Sequence, residues 1–128
     1  MRVKVEQHFT RAAHGGTGAA KAAGNYAGSL YPTELAKSEG YDQILWTDGA
    51  THTAVEECGT MNVAFVINGK MVVPKTSDTV LSGVTRASAI HLMEHQGIEV
   101  EERRVTVQEL KDAAEAVSYT HLTLPTKA

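Results

Sequence analysis

Residues 15–26 read Gly-Gly-Thr-Gly-Ala-Ala-Lys-Ala-Ala-Gly-Asn-Tyr, and this stretch decides how the rest of the chain is interpreted. Glycines followed by a lysine suggest a nucleotide phosphate loop. That loop requires a glycine directly before its lysine and a serine or threonine directly after it, where the hydroxyl reaches magnesium. Here Ala20 precedes Lys21 and Ala22 follows it, so the stretch is not a phosphate loop of that kind.

What remains is a lysine surrounded by small residues. Small neighbours let a planar ligand approach the backbone, and an apolar setting makes a lysine amine a better nucleophile toward an aldehyde. The alternative is a surface lysine on an alanine-rich helix. Taken alone, these residues favour that alternative.

Around this stretch the hydrophobic pattern predicts a strand on one side and a helix on the other. Residues 2–9 alternate between apolar and polar side chains and predict a strand. Residues 19–37 predict a helix, which Gly24, Gly28 and Pro32 weaken or kink.

The rest of the chain mixes both kinds of element. Asn68-Gly69 is a strong hairpin signal, and Thr106 predicts the N-cap of a last helix that reaches about residue 115. The mixture lacks a strict βαβ repeat, so it predicts an α/β fold with antiparallel hairpins. Strands are expected at 43–47, 53–56, 62–67, 70–73 and 98–105, and a further helix at 84–96.

The composition excludes several classes of protein. The chain has 128 residues, a formal charge of -3, 42% hydrophobic and 21% charged residues, which suits one soluble domain. It has no run of Lys and Arg that would indicate nucleic acid or an anionic membrane, and no apolar stretch that would span a bilayer. A single cysteine, Cys58, excludes an internal disulfide and predicts a reducing, cytoplasmic compartment.

Two further segments follow residues 15–26 in order. Residues 57–62 read Glu-Cys-Gly-Thr-Met-Asn, and residues 81–86 read Leu-Ser-Gly-Val-Thr-Arg. With these three motifs, the chain resembles the branched-chain aminotransferases, a family of fold-type IV enzymes that use pyridoxal 5′-phosphate (PLP). The resemblance runs from about residue 11 to residue 114. It implies that residues 1–116 are part of the C-terminal domain, a large pseudo-barrel of mixed strands with flanking helices.

The resemblance implies roles for individual residues. Lys21 corresponds to the Schiff-base lysine, which also acts as the catalytic acid and base. Tyr26 corresponds to the tyrosine that hydrogen-bonds the phenolic oxygen of the cofactor. Glu57 corresponds to the carboxylate that pairs with the pyridine nitrogen. Its spacing to Asn62 selects it over Glu56, which on a regular strand would point to the opposite face.

Further residues are implied to contact the cofactor less directly. Val84 and Thr85 would bind its phosphate at the start of a helix, where unpaired N–H groups attract an anion. Thr60 would lie beside the cofactor. Arg11 precedes Lys21 by ten residues, as an arginine does in relatives, and is either near the site or structural.

The function implied is transamination between Leu, Ile or Val and 2-oxoglutarate, by a homodimeric parent enzyme with no nucleic-acid or membrane partner. Two alternatives keep the same fold: a D-amino-acid aminotransferase and a relative of aminodeoxychorismate lyase. In this family many residues that select the substrate come from an N-terminal domain and the partner subunit. A third alternative is that the polypeptide is a truncated fragment without activity of its own.

The sequence departs from the family pattern at three positions. Ala64 stands where an aromatic residue is usual, Val73 stands where a threonine usually precedes the proline, and Pro32 interrupts a helix. None belongs to the three motifs, so the departures concern local packing.

Residues 91–95 read His-Leu-Met-Glu-His and fit the inverted zinc-protease pattern. Such a site requires a third protein ligand. Ala89, Ile90 and Met93 look like the buried face of the helix, which would leave both histidines in solvent. We therefore interpret the motif as a helix surface and not as a zinc site.

Residues 117–128 have no helical period and resemble a sequencing adapter translated by accident. On that interpretation the natural sequence ends near Ala116. The alternative is a genuine irregular tail.

Overall fold

Two mixed sheets and four helices make up the part of the chain that the computed structural model describes, residues 1–113 and the backbone of residues 116–119. No helix among these residues is long and apolar enough to cross a membrane. The strands are β1 (Val3–Val5), β2 (Gln43–Thr47), β3 (Val55–Cys58), β4 (Ala64–Ile67), β5 (Lys70–Pro74), β6 (Val100–Arg103) and β7 (Ala116–Tyr119). The helices are α1 (Ala23–Ala27), α2 (Leu30–Ser38), α3 (Val84–His95) and α4 (Val107–Asp112).

The first sheet has the order β1-β2-β3, with β1 parallel to β2 and β3 antiparallel to it. The pairing of β2 with β3 is irregular. Leu45 pairs with Cys58 and Thr47 with Val55, so two residues of β3 lie opposite a single residue of β2. This is a β-bulge, which breaks the alternation of side chains between the two faces.

The second sheet has the order β6-β5-β4-β7. Its central hairpin turns at Asn68 and Gly69, which have φ angles of +51° and +78°. Positive φ at both central residues suits Asn-Gly, so the predicted hairpin is confirmed. Strands β5 and β6 are parallel and are joined through α3, which ends before Gly97 (φ +77°).

The predicted helix over 19–37 is wrong in its extent. It is split into α1 and α2 at Gly28 and Ser29, and Lys21 lies in the loop before α1. Pro32 is the third residue of α2. A proline is tolerated in a first turn because its missing N–H has no partner within the helix.

The predicted strand over 2–9 is too long, since β1 ends at Val5. The buried carboxylate of Glu6 explains the ending. Its Oε1 accepts the N–H groups of Gln7, His8 and Phe9 at 2.8–3.1 Å. Three consecutive donors turned toward one oxygen cannot also take part in a sheet ladder.

Three clusters of buried apolar side chains hold the elements together. The largest lies between the two sheets and includes Leu45, Phe65 and Val72. In the second, Ala89 and Ile90 of α3 pack against β5, with Met93 partly buried beside them, as predicted. The third packs α2 against β2 around Ala36, Ile44 and Trp46.

The C-terminal elements agree only in part with expectation. Thr106 is the N-cap of α4, as predicted, and accepts the N–H of Glu109 at 3.0 Å. The tail was expected to be irregular from residue 117, but β7 pairs antiparallel with β4 from Ala116 to Tyr119. Residues 120–128, to which the rest of that expectation applies, lie outside the described residues.

Candidate functional site: an exposed lysine and a buried carboxylate

The side chain of Asn25 makes three hydrogen bonds to the loop before Lys21. Asn25 is buried, and its Oδ1 accepts the hydroxyl of Thr17 at 2.8 Å. Its Nδ2 donates to the carbonyl oxygens of Thr17 and Ala20 at 2.8 and 2.9 Å. Two of these bonds reach Thr17 and one reaches Ala20, the residue before Lys21, so Asn25 fixes the backbone that leads to that side chain.

The other end of the same loop is packed into the molecule at Gly18. A Cβ at this position would lie 2.5 Å from Ala12 Cβ and 2.8 Å from Thr79 Cα, so only glycine fits. Arg11 donates from Nη2 to the carbonyl oxygens of Gly18 and Thr79. The loop therefore leaves the interior at a fixed point and reaches the surface at Lys21, which is exposed.

Lys21 lies beside Tyr26, five residues further along the chain. Its Nζ is 5.6 Å from the centre of the Tyr26 ring. At that distance an ammonium group is attracted to the face of the ring. This contact holds the end of the Lys21 side chain over the face of the Tyr26 ring.

Glu57 is buried, with 4% of its side chain exposed. Its Oε1 accepts the N–H of Leu81 at 2.8 Å and lies 3.3 Å from Arg11 Nη2. Burial raises the pKa of Glu57, while the Leu81 N–H, the Arg11 guanidinium and the Lys21 ammonium oppose that rise. Lys21 is 36 residues before Glu57 in sequence, yet its ammonium group lies near enough for its charge to lower the pKa of Glu57.

The β-bulge changes the expected direction of Glu56. Glu56 and Glu57 were expected to point to opposite faces of a regular strand, but they are the two residues opposite Trp46 in the bulge. Both carboxyl groups reach the same loop: Glu56 Oε1 accepts the Thr79 hydroxyl at 2.6 Å, and Glu57 reaches Leu81. Bulges commonly redirect a side chain in this way beside functional sites.

Leu81 connects the motif at residues 57–62 to the motif at residues 81–86. Its N–H donates to Glu57, and its carbonyl oxygen accepts Asn62 Nδ2 at 2.8 Å and the N–H of Gly83 at 3.0 Å. A Cβ at Gly83 would collide with Asn62 Oδ1. The first and last residues of the 57–62 motif therefore both hold the turn that leads into α3.

Helix α3 begins directly after this turn. Its N-cap, Gly83, contributes no side-chain hydrogen bond, and the first backbone bond of the helix runs from Ala87 to Gly83. The N–H groups of Val84 and Thr85 precede that bond, and both residues are exposed. Free N–H groups at the start of a helix bind anions.

The structure thus brings Lys21, Tyr26 and Glu57 together and connects Val84 and Thr85 to them through the Leu81 turn. It does not place Thr60 in the network: Thr60 is exposed, and its side chain makes no hydrogen bond to another described residue. Taken together, the site combines an exposed amine, a buried carboxylate and a helix start with free N–H groups. This combination suits a ligand with an aldehyde, a basic ring atom and an anionic group.

The sequence alone did not decide whether Arg11 is near the site or structural, and it indicated no role for Asn25 or Asn62. The structure shows Arg11 as the link between the Lys21 loop and Glu57. A sequence signal existed for Asn25, since asparagine is a poor residue for a helix interior and favours bonds to nearby backbone. No local pattern indicates that Arg11 reaches Glu57 across 46 positions.

The histidines of the 91–95 motif are both exposed on α3. Among the described residues, no group of three or more His, Cys, Asp or Glu side chains is placed to hold a metal ion. Cys58 is buried in the largest apolar cluster, and burial raises the pKa of its thiol to about 11.

Comparison with known sequences gives consistent matches. The sequence model of the family described as amino-transferase class IV matches residues 3–119. A probable branched-chain-amino-acid aminotransferase of Staphylococcus epidermidis is 51% identical over 112 residues. Branched-chain-amino-acid transaminase 1 of Bacillus subtilis is 50% identical over 114 residues. The matches cover 88% and 89% of this chain, but it spans only about a third of each relative, 31% and 32%.

Solved structures give the same result for the fold. The branched-chain aminotransferase of Thermoproteus uzoniensis, crystallised with norvaline, superimposes with a TM-score of 0.81 at 28% identity, covering 92% of this chain and 39% of that one. The enzyme of Thermobaculum terrenum in its PLP form gives a TM-score of 0.75 at 34% identity, covering 84% and 35%. The predicted α/β fold of mixed strands with flanking helices is confirmed.

Proposed function

This chain belongs to the amino-transferase class IV family, and on that premise we propose that it is the PLP-binding part of a branched-chain aminotransferase. The proposed reaction exchanges an amino group between Leu, Ile or Val and 2-oxoglutarate in the cytoplasm. The observation that carries the proposal is the Lys21 amine over the Tyr26 ring, in the loop that Arg11 connects to the buried Glu57 carboxylate.

The residues present fit the cofactor. Both polar contacts of Glu57 are made by Oε1, so Oε2 has no hydrogen bond to another described residue and is available to a ring nitrogen. The start of α3 offers the N–H groups of Val84 and Thr85 to a phosphate, and the Thr85 hydroxyl adds a donor. When bound, PLP supplies an aldehyde that captures an amine and a ring that accepts the electrons released at the substrate's α-carbon.

Lys21 has two tasks in this proposal. Its amine would bind the cofactor aldehyde. Asn25 fixes the backbone of the loop that carries Lys21 and so helps to position this amine. With cofactor and substrate bound, Lys21 Nζ would be the acid and base that accepts and returns the proton of the substrate's α-carbon. Tyr26 keeps Nζ close to that position and donates its phenol to the cofactor's phenolic oxygen.

Glu57 would keep the ring nitrogen protonated, which requires Glu57 itself to be ionised. Arg11 and the Leu81 N–H favour the ionised form of this carboxyl group. Thr60 is proposed to lie beside the cofactor, although its side chain makes no hydrogen bond to another described residue.

The whole reaction is proposed for the full-length protein, as a homodimer, because this chain spans about a third of its relatives. Residues 1–116 are proposed as part of its C-terminal domain. We expect the 128-residue chain alone to show no transamination. Turnover of leucine by the purified chain would contradict that expectation.

The test of the proposal is reductive labelling. The 128-residue chain is treated with PLP and borohydride, and the modified peptides are mapped. We expect label on Lys21 ahead of the exposed Lys37 and Lys75, which serve as controls within the same sample. Lys21→Arg removes the label, whereas Lys75→Arg leaves it in place. Pyridoxal, which lacks the phosphate, labels Lys21 less, because the start of α3 no longer contributes to binding. Equal labelling of all exposed lysines by both aldehydes would refute the proposal.

A further inference from the structure

The β-bulge in β3 brings two buried carboxyl groups to one side of the sheet. Glu56 and Glu57 are adjacent in sequence, both are at least 94% buried, and both reach the segment Thr79–Leu81. Among the described residues, Arg11 is the cationic side chain buried with them, and the exposed Lys21 adds a weaker positive influence on Glu57. With both carboxyl groups ionised the buried cluster would carry a net negative charge, which is costly in a poorly solvated interior.

The two carboxyl groups have unequal partners. Glu57 faces the Arg11 guanidinium at 3.3 Å and the Leu81 N–H at 2.8 Å, and both contacts stabilise a carboxylate. Glu56 faces one hydroxyl, that of Thr79, and its Oε2 is buried without a hydrogen-bond partner. A hydroxyl can accept a proton from an acid as readily as it donates one to a carboxylate.

We propose that the Glu56–Glu57 pair retains one proton, that this proton lies on Glu56 against the Thr79 hydroxyl, and that Glu57 is thereby left ionised with Arg11 as its own counter-ion. Glu56 is then a positioning residue that acts through Arg11 and Glu57. The position of this proton on Glu56 does not depend on the proposed function. The role that it gives Glu57, pairing with a protonated ring nitrogen, rests on the proposed function.

The proton on Glu56 has a route to solvent. Thr79 Oγ1 lies 2.6 Å from Glu56 Oε1 and 3.0 Å from the hydroxyl of Ser77, which is exposed. Two hydroxyl groups in series can pass a proton by reorienting, so the buried acid equilibrates with bulk water.

The charged groups around Glu56 agree with this assignment. Burial raises the pKa of Glu56, and the negative charges of Asp48 and Glu57 raise it further, while the Thr79 hydroxyl and Arg11 oppose the rise. These charged groups come from different parts of the chain. Asp48 lies between β2 and β3, and Arg11 lies between β1 and the Lys21 loop.

The first test is carbon NMR of the side-chain carboxyl groups in the cofactor-free 128-residue chain. At neutral pH we expect one glutamate with the chemical shift of a protonated acid. That signal is lost in Glu56→Gln and retained in Glu99→Gln, an exposed control. Thr79→Val provides a second assignment, because it shifts the signal of the glutamate that contacts the hydroxyl. A wild-type spectrum in which every glutamate is ionised at neutral pH would overturn the proposal, as would a protonated signal that survives in Glu56→Gln.

The second test is the pH profile of stability, which a merely structural residue would not alter. Above the ordinary glutamate pKa of 4.5, unfolding of the wild-type chain releases the proton of Glu56, whereas Glu56→Gln has none to release. The folding equilibrium constant of Glu56→Gln relative to wild type therefore increases about tenfold per pH unit until Glu56 ionises in the folded state. A ratio that is independent of pH would overturn the proposal. Neither test uses PLP, so a failure to label Lys21 would count against the proposed function alone.

Discussion

Arg11 Nη2 lies 3.3 Å from Glu57 Oε1, and only 4% of each side chain is exposed. The same guanidinium nitrogen donates to the carbonyl oxygens of Gly18 and Thr79. Removing it would leave the buried Glu57 carboxylate without its counter-ion and two carbonyl oxygens without their donor. We expect Arg11→Ala to lower the free energy of unfolding by about 3–5 kcal/mol, measured by urea denaturation.

Arg104→Ala is the matched control for this change. The Arg104 guanidinium donates to the hydroxyl of Thr53, and both residues are exposed. Its removal is expected to alter stability by less than about 0.5 kcal/mol. Similar losses in the two variants would show that burial does not set the importance of Arg11.

Two glycines in the Lys21 segment give opposite predictions. A Cβ at Gly18 meets Ala12 Cβ and the backbone of Thr79 within 2.8 Å, so Gly18→Ala must displace the loop. We expect a loss of about 1–3 kcal/mol. A Cβ at Gly24, in α1, meets nothing within 4 Å, and Gly24→Ala is expected to stabilise the chain by up to about 1 kcal/mol. Thermal unfolding measures both, and a destabilised Gly24→Ala would contradict the geometry.

The lowered pKa of Asp48 predicts that the free energy of unfolding depends on pH in acid. Burial raises its pKa, but the N–H groups of Ala54, Thr51 and Thr53 and the Thr51 hydroxyl outweigh that effect and hold the pKa well below its ordinary value of 3.8. A carboxyl group with a lowered pKa stabilises the fold above 3.8, and the contribution disappears as pH falls below that value. The advantage of wild type over Asp48→Asn is therefore expected to be constant between about pH 5 and 7 and to shrink in acid. Chemical denaturation at several pH values measures it, and a difference that persists unchanged in acid would refute the assignment.

Cys58 predicts a slow reaction with thiol reagents. Its side chain is 1% exposed, and burial raises the pKa of the thiol to about 11, so little thiolate is present near neutral pH. Because the chain has a single cysteine, the reaction reports this site alone. We expect modification of the native chain at pH 8 to be at least about a hundredfold slower than in denaturant, since the core must open first. Comparable rates in the two conditions would mean that the largest apolar cluster does not form in solution.

The features that the sequence predicted correctly depend on a few neighbouring residues. Asn68-Gly69 turns the hairpin because both residues accept positive φ, and Thr106 caps α4 because its hydroxyl reaches an N–H three residues away. The roles of Lys21 and Glu57, which the order of the three motifs suggests, stay predictions. In these cases the physical cause lies within a short window of sequence.

The features that the sequence did not predict depend on distant partners. Asn25, in α1, binds the carbonyl oxygens of Thr17 and Ala20, and the segment before α1 is a loop although its alanines favour helix. Glu6 ends β1 by collecting three N–H groups. The bulge that turns Glu56 to the side of Glu57 depends on the register between β2 and β3, and alternation along one strand cannot reveal that register.

The double anchoring of Leu81 has a consequence for ligand size. Its N–H is bound to Glu57 and its carbonyl oxygen to Asn62, so the carboxylate and the start of α3 are separated by a nearly fixed distance. On the proposed function, these two groups receive opposite ends of one molecule. A cofactor analogue whose phosphate arm is one atom longer could satisfy one end only. The protein would thus select its cofactor by length as well as by charge.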